Sequence, residues 1–260
     1  MTRTVQSADG STIAYETRGT GPALILVGGA FSTRQSAGAI ASALAANYRV
    51  YAYDRRGRGD STDIQPYAVE REVEDLAALI EAAGGSAFVY GHSSGAVLAL
   101  EAAAAGLPIT KLAAYEPPYT AAEPGSPTLD GWGQSVQAAL DAGDRERAAV
   151  LFMRGTGADP AAVEGMTQLP FWSGMLAIAH TLPYDLALVG SGSVPTERFH
   201  RIAAPTLLLH GGNSPAWAGI ATSMIAEAIP GARHVTIEGQ DHAADPAVLA
   251  PVLVEFFGAP

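Results

Sequence analysis

The chain has 260 residues, of which 48% are hydrophobic and 16% are charged. That balance is typical of a globular domain with a large core, and it argues against a disordered chain. Acidic residues outnumber basic ones by 26 to 15, which gives a formal net charge of −11, so a nucleic-acid partner is not expected. Because the chain contains no cysteine, disulfides, thiolate catalysis and cysteine-ligated metals are excluded.

The distribution of apolar residues also bears on the location of the protein. The N-terminal residues lack the apolar core of a signal peptide. No apolar run reaches the roughly eighteen residues that a membrane span needs, since Gly, Pro or charged residues break the alanine-rich stretches. We therefore expect a cytoplasmic protein without a membrane partner.

Short apolar runs alternate with helical patterns along the first half of the chain. Asp9-Gly10 predicts a hairpin turn between two strands. The continuous apolar run Ala23–Val27 is typical of a strand buried on both faces. The predicted strands here are Thr2–Ser7, Thr12–Thr17, Ala23–Val27, Tyr48–Tyr53, Ala87–Tyr90 and Lys111–Tyr115, and the predicted helices are Gln35–Ala46, Val69–Ala83 and Ser94–Ala105.

The same alternation returns near the C-terminus. A strand is predicted at Pro205–His210, a helix at Pro215–Ile229, a strand at Arg233–Ile237 and a helix at Pro246–Phe257. Strands that alternate with helices predict an α/β fold with a mostly parallel sheet and helices on both faces. The antiparallel hairpin at the start would make this sheet mixed.

Residues 117–201 do not follow this alternation. The interval is rich in Pro and Gly and carries many large apolar side chains. A structureless loop of such length is improbable inside a compact domain, so we predict a mostly helical inserted lid. The predicted organisation is one structural domain, with core parts at 1–116 and 202–260 and the lid insertion at 117–201.

A catalytic serine is predicted at Ser93, in the run Gly91-His92-Ser93-Ser94-Gly95. A strand is predicted before the run and a helix directly after it, and in that context G-x-S-x-G marks a nucleophile on a sharp strand-to-helix turn. The helix N-terminus would supply oriented N–H groups near a developing oxyanion. Three alternatives accompany this prediction: a Gly- and Ser-rich loop without chemistry, Ser94 as the nucleophile, and His92 as the base rather than a packed residue of the turn.

With these elements in place, the sequence resembles the α/β-hydrolase superfamily over essentially its whole length. Tyr53–Ser61 is similar to the turn after the family's fourth strand, Gly28–Phe31 stands where many members have His-Gly plus an apolar residue, and Gly239–His242 stands where the family's base lies. The resemblance implies an oxyanion hole formed by the main-chain N–H groups of Ala30 and Ser94. Val27 or Gly28 replaces the usual His, which matters little because the donor is main chain.

The base is predicted to be His242. A serine hydroxyl is a weak nucleophile until a base accepts its proton. Of the six histidines, only His242 follows the final predicted strand in a turn-like setting, and the chain order nucleophile, acid, base fits this fold. The alternative is a histidine in a surface loop. His210 is expected to be structural, and His180 could line the lid side of a pocket.

The acid is displaced from the position that it occupies in most relatives. There, after the penultimate strand, this chain has Ser214 beside Asn213, and neither can carry the negative charge that stabilises an imidazolium. Glu116 directly follows the strand after the nucleophile helix, where haloalkane dehalogenases and zearalenone-type lactonases place their acid. We therefore predict Glu116 as the acid. The alternatives are that Glu116 only opens the lid, and that Asp241 is the acid.

These residues predict a serine hydrolase that cleaves a carboxylic ester or lactone, and the resemblance is to a lactonase-like branch. Ser93 excludes epoxide hydrolase and haloalkane dehalogenase chemistry, which needs a carboxylate nucleophile. The alternative is a non-hydrolytic protein of the same fold. It could be a ligand-binding protein, which the displaced acid favours, or a lyase or peroxidase that uses the same residues.

The sequence also bears on substrate, cofactor and assembly. The lid composition predicts a largely apolar small-molecule substrate. Neither a dinucleotide fingerprint nor a metal-ligand cluster occurs, so no cofactor and no metal are expected. A monomer or a homodimer is expected. The candidate pocket residues are Phe31, Trp132, Phe171, Trp172, Met175 and Tyr184, of which Phe31 has the strongest claim because it lies beside the oxyanion donor.

Overall fold

The computed structural model of the protein describes residues 1–119 and 129–258. Its centre is an eight-stranded sheet with the strand order β1-β2-β4-β3-β5-β6-β7-β8. The first two strands pair antiparallel, and β2 is also antiparallel to β4, whereas all pairs from β4 to β8 are parallel. The strands are β1 (Arg3–Gln6), β2 (Thr12–Arg18), β3 (Ala23–Val27), β4 (Arg49–Tyr53), β5 (Ala87–His92), β6 (Ile109–Tyr115), β7 (Thr206–Gly211) and β8 (Arg233–Ile237).

Helices cover both faces of the sheet, because its central strands are apolar on both sides. Helices α1 (Gly38–Leu44) and α11 (Pro246–Phe257) share one core cluster with the sheet, and α2 (Val69–Ala82), α3 (Ser94–Ala104) and α10 (Ala216–Ala228) share the other. This is the α/β-hydrolase fold, as the sequence predicts.

Between β6 and β7 the described chain is helical. We call these helices the helical insertion: α4 (Leu129–Asp141), α5 (Arg145–Gly155), α6 (Pro160–Met166), α7 (Trp172–Ile178), α8 (Leu182–Val189) and α9 (Thr196–Phe199), with a 3₁₀ turn at Ala179–Thr181. Two apolar clusters of its own hold it together, one around Phe152 and the other around Trp172. The predicted lid spans 117–201, of which 120–128 lie outside the described residues.

The element boundaries differ most at the first helix, which begins at Gly38 rather than at the predicted Gln35. The preceding residues are held in turns by polar contacts. The main-chain N–H of Thr33 donates to the Ser36 hydroxyl at 3.1 Å, and that of Arg34 donates to the Asp54 carboxylate at 2.7 Å. These contacts fix the chain between β3 and α1 in a non-helical path. In the part of the chain that the structure describes, no helix is both long and apolar enough to cross a membrane.

Candidate active site

The candidate residues meet at one edge of the sheet. The register pairs Val27 with Gly91, and His92 with Tyr115. Because neighbouring parallel strands end at the same edge, Ser93 after β5 and Glu116 after β6 leave the sheet side by side. The segments after β3 and β7 flank them.

The turn at Ser93 is sharp and strained. Ser93 has φ 57° and ψ −128°, a backbone conformation that residues other than glycine rarely adopt. Its main-chain N–H donates to the carbonyl of Tyr115 at 2.9 Å. A Cβ at Gly91 would collide with the backbone of Gly95 and Ala96, so only glycine fits there. The Ser93 hydroxyl makes no capping hydrogen bond to α3, which leaves it available to a base.

Glu116 and His242 form a close polar contact at the centre of the site. The Nδ1 atom of His242 lies 2.6 Å from Oε2 of Glu116, whose carboxylate is wholly buried, whereas the His242 side chain is 45% exposed. The other carboxylate oxygen, Oε1, accepts from the main-chain N–H of Gly211 at 2.8 Å and from the Ser214 hydroxyl at 2.5 Å. Three donors therefore converge on one carboxylate.

Burial raises the pKa of Glu116, but the hydrogen bonds from His242, Gly211 and Ser214 outweigh burial and hold it below the usual glutamate value. The carboxylate is therefore ionised at neutral pH. Among the described residues, the His242 ring forms a hydrogen bond only with Glu116. It forms none with the Ser93 hydroxyl. Contacts between nucleophile and base are often loose without substrate and tighten in the reacting complex.

Two main-chain segments could hold an oxyanion beside Ser93. Ser94 is the first residue of α3, so its N–H has no partner within the helix. On the other side, a Cβ on Gly29 would lie 2.8 Å from Cβ of Ser93 and 3.4 Å from its hydroxyl oxygen. The backbone that leads to Ala30 therefore passes directly over the nucleophile.

Several pocket candidates cluster next to this segment. Phe31, at φ 57°, makes an edge contact with Phe152 at 5.6 Å between ring centroids. The same phenylalanine packs against both apolar clusters of the helical insertion, which include Trp132 in one and Trp172 and Met175 in the other. The insertion therefore borders the site through Phe31.

The other two pocket candidates have different surroundings. Phe171 is 52% exposed. The Tyr184 ring stacks on Tyr67 with 3.9 Å between centroids, and its hydroxyl lies 2.5 Å from the Asp63 carboxylate. The Tyr184 side chain thus contacts the segment before α2, and Phe171 lies at the surface of the insertion. Both stay predictions as pocket residues.

The remaining polar alternatives near the site have other partners. Nε2 of His92 lies 2.8 Å from the main-chain carbonyl of His242, and burial lowers the pKa of His92 to about 4, so the ring is neutral and braces the loop that carries His242. The Asp241 carboxylate accepts from the main-chain N–H of Ala243 at 2.8 Å, which fixes that turn. His180 is exposed, and His210 lies 2.9 Å from His234 on the neighbouring strand.

Sequence reasoning missed the supporting role of Ser214, which it treated only as the loss of an acid. The available signal was its position, because the end of β7 lies next to the end of β6 and so faces a carboxylate there. It also missed Asp185, a buried carboxylate of α8 that accepts from the Ser94 hydroxyl at 2.7 Å. No local pattern marks Asp185, since the two residues are 91 positions apart. The described residues hold no group of three or more His, Cys, Asp or Glu that could bind a metal.

Several known proteins are similar to this chain in sequence and fold. A solved α/β hydrolase from Sphaerobacter thermophilus DSM 20745 is 52% identical, with a TM-score of 0.94 over 98% of this chain and 100% of that one. A hydrolase from Pseudomonas aeruginosa PA01 is 26% identical, with a TM-score of 0.81 over 99% and 98% of the two chains. Among curated proteins, the uncharacterized hydrolase YraK of Bacillus subtilis is 38% identical over 96 residues, and the match spans only 35% of each chain.

The family model described as the alpha/beta hydrolase family matches residues 24–252. That range includes every strand of the parallel part of the sheet except the first residue of β3, together with Ser93, Glu116 and His242. The match shows that this chain belongs to the α/β hydrolase family, and the sheet order and the turn at Ser93 agree with it. The relatives named above are hydrolases.

Proposed function

We propose that the protein hydrolyses a carboxylic ester or a lactone through an acyl-enzyme on Ser93. The observation that carries this proposal is the buried Glu116 carboxylate, 2.6 Å from Nδ1 of His242, at the strand end next to Ser93. This contact leaves Nε2 of His242 as the proton acceptor. A carboxylate behind the ring holds the correct tautomer and stabilises the imidazolium that forms.

In this proposal the Ser93 oxygen attacks the substrate carbonyl carbon while Nε2 of His242 takes the hydroxyl proton. The carbonyl oxygen becomes an oxyanion held by the N–H groups of Ala30 and Ser94, at the positive end of the α3 dipole. Collapse of the tetrahedral intermediate expels the alkoxide, which receives the proton from His242. Water then attacks the acyl-enzyme with the same base, which releases the acid and restores the Ser93 hydroxyl.

The substrate class is assigned from the walls of the site. Phe31 lies two residues after Gly29, which approaches Ser93, and it packs against both apolar clusters of the helical insertion. Such walls favour a small, largely apolar acyl group, because burying apolar area stabilises binding by about 25 cal/mol per Å². A lactone fits the same chemistry, with the alcohol remaining attached to the acyl-enzyme after ring opening.

The test is a fluorophosphonate probe together with a panel of short-chain p-nitrophenyl esters and simple lactones. Wild type is expected to be labelled and to turn over at least one of these substrates. Ser93→Ala is expected to lose both activities. Ser173→Ala, an exposed serine on α7 of the insertion, is the matched control and should retain both. Labelling that persists in Ser93→Ala would contradict the assignment of the nucleophile, and a wild type inactive on the entire panel would contradict the proposed reaction.

A further inference from the structure

A group of buried charges lies directly behind the nucleophile turn. We call it the elbow cluster, and it consists of Arg55, Arg58, Glu72 and Asp185 together with the Ser94 hydroxyl. Each of the four charged residues is at most 2% exposed. Burying four charges is costly unless each is paired and hydrogen-bonded, so the contacts of each member indicate what the cluster holds in place.

Asp185 is the centre of the elbow cluster. Its carboxylate accepts from Arg55 at 2.7 Å, from Arg58 at 2.8 and 2.9 Å, and from the Ser94 hydroxyl at 2.7 Å. Burial raises its pKa, but the two arginines and the Ser94 hydroxyl outweigh burial and lower it below the usual aspartate value. Asp185 is the contribution of the helical insertion, since it lies on α8.

The two arginines also contact the main chain after β3, on the opposite side of the nucleophile. Arg58 donates to the main-chain carbonyl of Gly29 at 2.6 Å. Arg55 is fixed by two hydrogen bonds of 2.6 Å to the Glu72 carboxylate on α2, and it also approaches the carbonyl of Gly28 at 3.4 Å. Gly28 and Gly29 form the segment that ends at Ala30, the second proposed oxyanion donor.

The two donors of the proposed oxyanion hole thus come from separate elements, and the elbow cluster connects them. One donor is the N–H of Ser94, whose side chain is bound to Asp185. The other is the N–H of Ala30, one residue after a carbonyl that is bound to Arg58, and Arg58 is itself bound to Asp185. Because the distance between two donors decides whether both reach one oxygen, a shift of about 1 Å can cost about 100-fold in rate.

We propose that Asp185, supplied by the helical insertion, is a positioning residue that sets the spacing of the oxyanion-hole donors through Ser94 on one side and Arg58 on the other. This inference rests on the proposed function. The helical insertion then does more than border the substrate, because its α8 helix completes the support of the hole. Thr181, which accepts from Nε of Arg58 at 3.1 Å, adds a second contact from the same insertion.

The first test compares Asp185→Asn and Ser94→Ala with wild type on the best ester of the panel. The Ser94→Ala variant removes only the hydroxyl and retains the N–H. Both variants are expected to lower kcat about 10- to 100-fold while KM stays within about threefold. The double variant should lose no more than the larger single loss, because both changes break the same connection. Asp141→Asn, an exposed carboxylate at the end of α4, is the matched control and should retain kcat.

If Asp185 had a purely structural role, the two variants would have a lower melting temperature and a higher KM, or the kcat of their folded fraction would be unchanged. Either result would overturn the inference. The inference would also be overturned if the kcat losses of the two single variants, expressed as free energies, added up in the double variant. Because Asp185→Asn leaves buried arginines underpaired, its folding is checked first by circular dichroism, and an unfolded variant is set aside. In that case Ser94→Ala and Thr181→Val decide the question, since neither removes a charge.

The second test does not depend on hydrolysis. Hydrogen–deuterium exchange of wild type and Ser94→Ala is compared for peptides that cover residues 28–32 and 93–97. Both peptides are expected to exchange faster in the variant, and peptides from β8 are expected to stay unchanged. Unchanged exchange in 28–32 would overturn the coupling across the elbow cluster even in an active enzyme. An inactive wild type with coupled exchange would refute only the proposed function.

Discussion

The Glu116 carboxylate combines three donors that come from different parts of the chain. His242 approaches one oxygen, while the Gly211 N–H and the Ser214 hydroxyl approach the other. Glu116 itself has φ 47°, a conformation that costs on the order of 1 kcal/mol or more outside glycine. The hydrogen bonds at both oxygens offset that cost, so the carboxylate is fixed in direction as well as in charge. The proposed acid lies at the end of β6 rather than after β7, where the family resemblance implies it, and Ser214, the residue at that second position, donates a hydrogen bond to it.

The first prediction concerns the charge of Glu116. Glu116→Gln keeps the size of the side chain but removes the charge and the strong acceptor for Nδ1 of His242. We expect kcat on esters to fall by about 10³- to 10⁴-fold, with KM changed little, because the wrong tautomer of the base is then favoured. Glu238→Gln, an exposed carboxylate after β8, serves as the control. Activity of Glu116→Gln close to that of wild type would show that the acid lies elsewhere.

The second prediction concerns the acid range of stability. Because folding lowers the pKa of Glu116, its ionised form stabilises the folded state above the unfolded pKa, and that stability is lost as the pH falls through the folded pKa. Ser214→Ala removes one of the hydrogen bonds that lower this pKa. We expect the variant to be less stable than wild type by about 1–3 kcal/mol at about pH 7, with the gap narrowing toward about pH 3. Urea unfolding at a series of pH values measures both curves, and a constant gap at every pH would contradict the linkage.

The candidate residues differ in how far the sequence alone identifies them. Ser93, Glu116 and His242 directly follow or lie near predicted strand ends, and parallel strand ends meet at one edge, so their proximity follows from local patterns. Asp185 lies within a helix and meets Arg55 across 130 positions of sequence. Such a contact depends on how the insertion docks, which no local periodicity encodes. For the same reason the pocket residues stay predictions, because composition indicates a lid but not which of its faces is turned inward.

At the scale of elements, the strand-to-helix turn between β5 and α3 is tightly packed against its neighbour β3. Gly95, on the first turn of α3, lies against the main-chain carbonyls of Val27 and Gly28. Helix α3 is buried along nearly its whole length, so the turn cannot shift outward to make room. The apolar run of β3 and the Ala-rich sequence of α3 made both elements predictable. The late start of α1 was not predictable, because it depends on the contact of Arg34 with the distant Asp54.

The third prediction follows from this packing. A Cβ at Gly95 would collide with the end of β3, so Gly95→Ala should destabilise the protein by about 1–3 kcal/mol and lower ester turnover as the turn is displaced. Gly174→Ala on α7 is the matched control, since a Cβ there meets nothing within 4 Å. That substitution should be neutral or should stabilise by up to about 1 kcal/mol, because alanine favours helix. Thermal unfolding and ester assays distinguish the two, and equal effects of the two variants would contradict the packing explanation.

At the scale of the whole molecule, the arginines of the turn after β4 belong to different buried hydrogen-bond networks. Arg55 and Arg58 enter the elbow cluster, whereas Arg56 binds the Asp75 carboxylate on α2 and Asp9 in the hairpin turn. In the sequence these arginines form one short basic turn bracketed by acids. In the fold each connects elements that are far apart along the chain. The turn therefore joins the N-terminal hairpin, α2 and the helical insertion to the same sheet edge that carries the proposed active site.

The fourth prediction separates buried from exposed charge pairs in this framework. The guanidinium of Arg56 is wholly buried and donates twice to Asp75, at 2.7 and 2.8 Å. Asp75→Asn would leave that buried charge underpaired and should cost about 3–5 kcal/mol. The neighbouring pair of Arg71 and Glu74 is 37% and 28% exposed, so Glu74→Gln should cost less than about 1 kcal/mol. Urea unfolding of both variants decides between these outcomes. Equal losses of stability in the two variants would mean that Asp9 and the main-chain carbonyl of Arg71 are sufficient partners for the Arg56 charge. The turn after β4 would then hold the N-terminal hairpin less strongly than its geometry indicates.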